Sequence, residues 1–261
     1  MLVLPPTEPA LAPYVRAFGY LEAPLPHAQE WVLPSGGMQL LVNLADDELR
    51  SYPGGRPRRH SGAVLQGPND RPSLIDTAAQ RAIAWVTFHP AGARPFFDLP
   101  ARDAYGSLVD LDALWGRTGA TLRERLLEAP GPAARLRALQ AALLSRFSEP
   151  PQPLVRHAVA GLESGASVTE VCERTGLTAK RLGRLCAVHL GLSPKRFAGV
   201  RRFQRLLDAA AVAHDADWAR LAADAGYYDQ PHMIHDFARY ADMTPTAYRP
   251  RSVTDRNHIP A

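Results

Sequence analysis

Positively charged side chains cluster in one segment of this 261-residue sequence. Between Thr178 and Arg205 there are eight lysines and arginines and no acidic residue. Residues 154–252 hold 14 basic and 10 acidic residues, whereas the remainder of the chain holds 16 of each. Such clustering is typical of a protein that binds a polyanion. The alternative interpretation is a helix face that is simply solvated.

The elements that would position these charges form an internal repeat. The matching positions lie 50 residues apart up to the glycine pair Gly176 and Gly226, and 51 residues apart after it. The pairs that define it are Val168 and Trp218, Val171 and Leu221, Cys172 and Ala222, Gly176 and Gly226, Thr178 and Asp229, Leu182 and Met233, Cys186 and Phe237, and Phe197 and Tyr248. The pattern predicts a helix, a glycine turn and a second helix, occurring twice.

Each repeat carries the signals of a helix–turn–helix unit. Ser167 and Glu170 form a predicted capping box, Gly176 can end the helix in a left-handed conformation, and Thr178 can cap the next helix. Asp217, Gly226 and Asp229 have these roles in the second unit. The second helix of such a unit enters the DNA major groove. The side chains predicted to face outward are Ala179, Lys180, Arg181, Gly183, Arg184 and Val188 in the first unit, and Gln230, Pro231, His232, Ile234, His235 and Asp236 in the second.

Residues 154–252 resemble the DNA-binding domain of AraC/XylS-type transcriptional regulators. The motifs that carry the resemblance are Gly176-Leu177-Thr178, Gly191-Leu192-Ser193-Pro194-x-x-Phe197, Gly226-Tyr227-x-Asp229-Gln230-x-x-Met233-x-x-x-Phe237 and Met243-Thr244-Pro245-x-x-Tyr248-Arg249. The resemblance implies two helix–turn–helix units joined by one long helix, here about 194–213. It also implies base-reading positions at Lys180, Gly183, Arg184, Gln230, Pro231, Ile234 and His235, to which we add Arg181 and His232 as DNA-binding residues.

Two features depart from that family pattern. The family commonly has a bulky aromatic residue where Cys186 stands. The second recognition segment, 229–240, contains two acids and one arginine, so we expect it to contribute little to phosphate binding.

The first 116 residues read as a β-rich domain. Strands are predicted at 14–21, 38–44, 63–65, 73–75 and 82–88, between turn signals rich in proline and glycine. A helical connector with a proline-rich linker follows at 117–153, and residues 253–261 are a predicted tail. The predicted fold is α+β, with a cupin-like sandwich or barrel followed by an all-α domain with two helix–turn–helix units. The motifs at 30–40 and 88–97 resemble sensor-type domains that precede such DNA-binding domains, and these bind small effectors or mediate dimerisation.

Other chemistry is less well supported. The two cysteines, Cys172 and Cys186, lie on predicted inward faces, which favours packing over catalysis. The scattered His27, His60 and His89 lack the spacing of a metal site. Trp31, Trp85, Phe88 and Tyr20 could line an effector pocket or pack in a core. The leucines at 136, 139, 143 and 144 could form a dimer helix or pack on the β-rich part. We therefore expect no catalytic residue, no metal and no cofactor.

The composition excludes several classes of protein. No apolar run reaches the roughly 18–20 residues that cross a bilayer, no basic segment precedes an apolar stretch at the N-terminus, and two cysteines cannot form a disulfide framework. We expect a cytoplasmic, sequence-specific DNA-binding transcriptional regulator without enzymatic activity. Its expected partner is double-stranded DNA; a small-molecule effector, RNA polymerase and a second copy of the chain are further candidates, and a membrane is not. The alternative is a ligand-binding or scaffolding protein whose helical domain has lost specific DNA binding.

Overall fold

A computed structural model describes residues 1–212 and 217–261 of the chain. The strands are β1 Leu2–Leu4, β2 Val15–Glu22, β3 Gln29–Val32, β4 Gln39–Asn43, β5 Glu48–Ser51, β6 Arg58–Ser61, β7 Ala63–Gln66, β8 Ser73–Asp76, β9 Ala82–Phe88, β10 Leu108–Asp110 and β11 His258–Pro260. The helices are α1 Leu111–Trp115, α2 Arg117–Ala120, α3 Leu122–Glu128, α4 Pro132–Leu144, α5 Pro153–Glu163, α6 Val168–Thr175, α7 Ala179–His189, α8 Pro194–Ala211, α9 Trp218–Ala225 and α10 Gln230–Ala241. Within the described residues, no helix is both long enough and apolar enough to cross a membrane.

The β-rich part contains three antiparallel sheets. A six-stranded sheet has the order β1-β2-β9-β4-β7-β10, a three-stranded sheet has the order β11-β3-β8, and β5 pairs with β6. All five strands predicted from the sequence are confirmed as β2, β4, β7, β8 and β9. The α+β fold, with a cupin-like β-rich part followed by a helical part, is as predicted.

The two faces of the six-stranded sheet have different neighbours, because successive side chains of a strand point to opposite sides. Leu40 and Val42 of β4 are fully buried in a core that also contains Leu126 of α3 and Leu139 of α4. Leu41, between them, lines a cavity on the other face. The leucines at 136, 139 and 143 are buried in the same core, so they pack on the chain's own β-rich part.

The four aromatic residues that were candidates for a pocket have three different environments. Tyr20 and Phe88 are buried in the core, and Trp31 packs against the second helix–turn–helix unit. Trp85 lines the cavity and lies across the sheet from Gly19. A Cβ atom at position 19 would lie 2.0 Å from the Trp85 ring, so only glycine leaves room for this indole.

The helical part contains two cores joined by α8. The first holds residues of α5, α6 and α7, and the second holds residues of α8, α9 and α10. The predicted connecting helix, 194–213, is observed as Pro194–Ala211, and its predicted last residue lies outside the described residues. The second core extends beyond residues 154–252, because Leu33 and Ile259 are buried in it.

Residues 253–261, predicted only as a tail, contribute a strand to the β-rich part. In β11, Ile259 faces Trp31 of β3. The carboxylate of Glu30, only 1% exposed, lies next to this pairing. Its oxygens are 2.6 Å from His258 Nδ1, 2.9 Å from His27 Nε2 and 3.1 Å from Arg251 Nη1. A buried carboxylate is stable only with such partners.

Burial alone would raise the pKa of Glu30, but the hydrogen bonds and charges of His258, His27 and Arg251 outweigh it and lower the pKa from 4.5 to about 2. The folded state therefore binds the proton more weakly than the unfolded state. The resulting stabilisation is complete above about pH 4.5 and is lost as the pH falls toward 2.

We predict that Glu30→Gln lowers the free energy of unfolding near pH 7 by at most about 3 kcal/mol. The difference from wild type should shrink below about pH 4.5, where wild-type Glu30 loses the same contribution. Urea unfolding from pH 7 down to about pH 2 measures both effects. Exposed Glu128→Gln is the control and should change stability little. A pH-independent deficit would contradict the charge-based explanation.

Candidate nucleic-acid interface

The first helix–turn–helix unit has the local geometry that its sequence predicts. Ser167 N donates to Glu170 Oε2 at 2.7 Å and Glu170 N donates to Ser167 Oγ at 3.2 Å, which completes the capping box. Gly176 ends α6 with a φ of 67°, a conformation that favours glycine. Thr178 then caps α7 by accepting a hydrogen bond from Arg181 N.

The outward face of α7 is basic only in its first turns. Lys180, Arg181 and Arg184 are exposed, while Leu182 and Cys186 on the opposite face are buried. Gly183 is half-buried and has no side chain to offer. The prediction that Val188 faces outward is wrong: Val188 is half-buried in a small crevice with Met38 and other residues of the β-rich part. The C-terminal end of α7 is therefore covered by the protein itself.

The second unit is capped in the same way. Asp217 accepts from the backbone of Ala219 and Arg220, and Asp229 accepts from His232 N at 2.8 Å. Gly226 ends α9 with a φ of 86°. The exposed side chains at the start of α10 are Gln230, Pro231, Ile234 and His235.

Two residues that the sequence places outward on α10 lie closer to the protein. Asp236 is only 6% exposed, so the prediction that it faces outward is wrong. Its Oδ2 accepts a hydrogen bond from Arg202 Nη2 at 2.8 Å. His232 is half-buried, with its Nε2 3.0 Å from the same Arg202 Nη2. An arginine on α8 thus turns both side chains away from the free surface of α10, so His232 presents less of its ring than predicted.

Three of the eight basic residues between Thr178 and Arg205 hold the fold together. Arg202 binds Asp236, Arg201 binds Glu163 with 3.1 Å between Nη2 and Oε1, and Arg205 donates to the carbonyl oxygen of Glu163 at 3.0 Å. These guanidinium groups are half-buried. The basic cluster of the sequence therefore overstates the charge that a ligand would meet.

Asp70, on a loop of the β-rich part, engages two more arginines. Its buried carboxylate lies 2.8 Å from Arg239 Nη2 on α10 and 3.4 Å from Arg196 Nε on α8, and it accepts from the Tyr105 hydroxyl. Burial would raise the pKa of Asp70, but these hydrogen bonds and charges lower it overall. The only arginine of α10 is consequently held by the β-rich part.

Four basic side chains of the cluster remain on the surface. Lys180, Arg181, Arg184 and Lys195 are exposed and form no ion pair with any residue that the structure describes. Three of the four belong to the first turns of α7. The unpaired positive charge of this cluster is therefore concentrated on one recognition helix.

One exposed aromatic residue escaped the sequence-based reasoning. Tyr228, in the turn just before Asp229, is 93% exposed. The sequence does contain a signal for it, because Tyr228 is an aromatic residue that occupies none of the inward-facing positions of the repeat. Its place beside the start of α10 adds an amphipathic side chain to the surface of the second unit.

The cysteines have the packing environment that their positions predict. Cys186 is buried and Cys172 is half-buried, and both thiols are free. Burial raises the pKa of Cys186 to about 12, which suppresses the thiolate that nucleophilic chemistry needs. Across residues 1–212 and 217–261, no group of three His, Cys, Asp or Glu side chains is placed to hold a metal ion.

Family models match two separate parts of the chain. Residues 171–251 match a family model described as a helix-turn-helix domain, and residues 3–110 match a domain of unknown function. A search of curated proteins finds no match.

Several solved structures are similar to the chain, among them the following three. ToxT from Vibrio cholerae has a TM-score of 0.44 at 10% identity, covering 90% of this chain and 92% of that one. ToxT from Vibrio cholerae O395 bound to (E)-4-(8-methylnaphthalen-1-yl)but-3-enoic acid has a TM-score of 0.48 at 9% identity, covering 88% and 97%. The AraC-like transcriptional activator CuxR has a TM-score of 0.20 at 17% identity, covering 76% and 75%.

We predict that Gly183→Ala stabilises the protein by about 0.5–1 kcal/mol, because alanine favours a helix interior. An added Cβ at this position meets no atom within 4 Å. The matched variant Gly191→Ala should instead cost more than about 1 kcal/mol, because Gly191 has a φ of 69° and its Cβ would lie 2.6 Å from the Ala101 carbonyl oxygen. Urea unfolding measures both. A destabilised Gly183→Ala would show that this face of α7 is covered.

Proposed function

We propose that the chain is a transcriptional regulator of the AraC/XylS type, whose motifs it resembles, and that it binds DNA sequence-specifically through the exposed first turns of α7 and α10. The observation that carries the proposal is the pair of capped helices whose N-terminal turns lie free of the protein. In a helix–turn–helix these turns meet the base edges of the major groove. No catalytic step forms part of the proposal.

The first unit supplies charge and guanine recognition. Lys180 and Arg184 lie one turn apart on α7 and are exposed. Each can donate hydrogen bonds to guanine O6 and N7. Arg181, between them, is assigned to a phosphate. Gly183 lets the helix approach the groove closely, since no side chain stands there.

The second unit reads DNA with mostly uncharged groups. Gln230 can form two hydrogen bonds with adenine, and Pro231 and Ile234 offer apolar contact to the thymine methyl group. His235 is exposed and available to a base or phosphate, whereas His232 is partly withdrawn by Arg202. Arg239 is bound to Asp70, which leaves α10 without a free arginine for phosphate.

The β-rich part is assigned to effector sensing. A small molecule bound there would change the activity of the helical part, and RNA polymerase and a second copy of the chain are the further partners of the proposal. Selection of bound sequences from random DNA, with the full chain, tests the central claim. Enrichment of one motif supports it; uniform weak binding would favour the competing hypothesis of a ligand-binding or scaffolding protein.

We predict that Lys180→Ala and Arg184→Ala each abolish the base preference at one position of the selected motif. A bidentate contact discriminates by about 1–3 kcal/mol, so the preference should fall roughly 5- to 150-fold. Competition binding with single-base variants of the motif measures it. Arg220→Ala on the exposed side of α9 is the control and should leave every preference unchanged. Equal losses on preferred and scrambled DNA would reassign both side chains to phosphate.

We further predict an asymmetric salt dependence. Arg181→Ala should reduce the slope of log affinity against log salt by about 0.9, the value for one phosphate contact. The double change Gln230→Ala with His235→Ala should leave the slope nearly unchanged at pH 8 and alter only base preference. Titrations between 50 and 300 mM KCl give the slopes. An equal reduction in both variants would show that the units share phosphate binding.

A further inference from the structure

The β-rich part encloses a cavity of about 590 Å³. Leu41 and Trp85 of the six-stranded sheet form one wall, and Val32 and Ile75 of the three-stranded sheet face them. Cavities of this size accommodate small organic ligands, for which the common range is about 300–1,000 Å³.

The C-terminal tail completes the cavity wall. The lining residues that the tail and its preceding residues supply are Arg251, Thr254, Asp255, Arg256, Asn257 and His258. The tail is held at this position by its pairing with β3, where Leu33 N donates to the Asn257 carbonyl at 2.8 Å and Ala261 N donates to the Gln29 carbonyl at 3.1 Å. A ligand in the cavity would therefore touch a segment that follows the helical part in sequence.

The same tail is anchored to the second helix–turn–helix unit. Ile259 is buried in the core that contains Phe237 of α10. Gln204 Nε2 of α8 donates to Asn257 Oδ1 at 2.9 Å, and Arg256 forms an ion pair of 2.6 Å with Asp208. One strand thus contacts both the cavity and the structure that supports α10.

The arginine side chains that line the cavity are already paired. Arg251 binds Glu30 and Asp255, Arg256 binds Asp208, and Arg50 binds Glu48. An anionic ligand would have to compete with these carboxylates for the guanidinium groups. The remaining lining is dominated by apolar side chains, with amides such as Gln66 and Gln80 among them. The wall therefore fits a molecule without net charge.

We propose that this cavity binds an uncharged, largely apolar small molecule, and that β11 transmits its binding to the second helix–turn–helix unit. The inference rests on the proposed function, because it names the ligand class and the regulatory route of the effector site. Ligand contact with Asn257 and His258 stabilises the β3–β11 pairing, and Ile259 extends that stabilisation to the core beneath α10. By thermodynamic linkage, DNA bound to α10 affects ligand affinity equally.

Binding to the full chain is tested with N-phenyl-1-naphthylamine, an uncharged fluorescent probe, in competition with decan-1-ol and decanoate. We expect saturable probe binding that decan-1-ol displaces at least tenfold more effectively than decanoate. Leu41→Trp and Ile75→Phe, from opposite walls, should each weaken the probe at least tenfold; Leu127→Phe on α3 is the control. Unchanged affinity in both cavity variants overturns the site, and stronger displacement by decanoate overturns the uncharged class.

The coupling is tested by amide hydrogen exchange with and without saturating probe. In the wild type, we expect the probe to slow exchange in β3, β11 and α10. In Ile259→Ala the slowing should be confined to the cavity walls, whereas Val253→Ala, an exposed position on the same tail, should behave as wild type. Slowing of α10 that survives in Ile259→Ala overturns the route through β11.

These two measurements contain no DNA, so their outcomes do not depend on whether the proposed function is correct. A third measurement joins them: the affinity for the selected motif with and without probe. A sequence-specific protein whose DNA affinity is unaffected by the probe overturns the coupling alone. A protein without sequence preference that still shows probe binding and tail-dependent exchange overturns the proposed function alone.

Discussion

Carboxylates placed inside the protein, and the cationic groups they require, determine how the helical part sits on the β-rich part. Glu30 and Asp70 are nearly inaccessible to water, and a buried carboxylate without cationic partners would cost several kcal/mol. Arg251 and His258 satisfy the first, and Arg196 and Arg239 satisfy the second. In both clusters the acid belongs to the β-rich part and most of the partners belong to the C-terminal third. The same arginines that raise the net charge of that third are thus the ones that dock it.

This docking makes the two helix–turn–helix units chemically unequal. The first unit keeps Lys180, Arg181 and Arg184 on its surface, whereas Arg239 of the second is taken by Asp70. The acid of α10, Asp236, is neutralised from within by Arg202, so it does not repel phosphate as its sequence position suggests. In the proposed function, electrostatic attraction would therefore fall mainly to α7, and base discrimination by uncharged groups would fall to α10.

The sequence predicts whatever depends on local rules. The caps at Ser167, Thr178 and Asp229 and the glycine turns follow from hydrogen bonding and backbone conformation within a few residues. Strands with continuous apolar or alternating patterns, such as β4 and β9, are equally predictable from the sequence. By contrast, β3 contains Glu30, whose partner Arg251 is 221 residues away, and β11 has three residues that end in proline. The helical period alone predicts that Asp236 faces outward. The residue that holds it inward, Arg202, lies 34 residues earlier in the sequence, where no local rule connects the two. Nothing local distinguishes such positions from solvated ones.

The two cores of the helical part depend on the β-rich part to different extents. The first contains one residue from it, Ala91, and is otherwise built from α5, α6, α7 and the start of α8. The second buries Leu33 and Ile259 and packs against Trp31. Displacement of β3 or β11 would therefore remove support from α10 while leaving the core beneath α7 intact. In the proposed function, such an arrangement would keep the charged helix α7 in place while the position of α10 changes. The recognition helix without a free arginine is thus the one whose supporting core includes residues of β3 and β11.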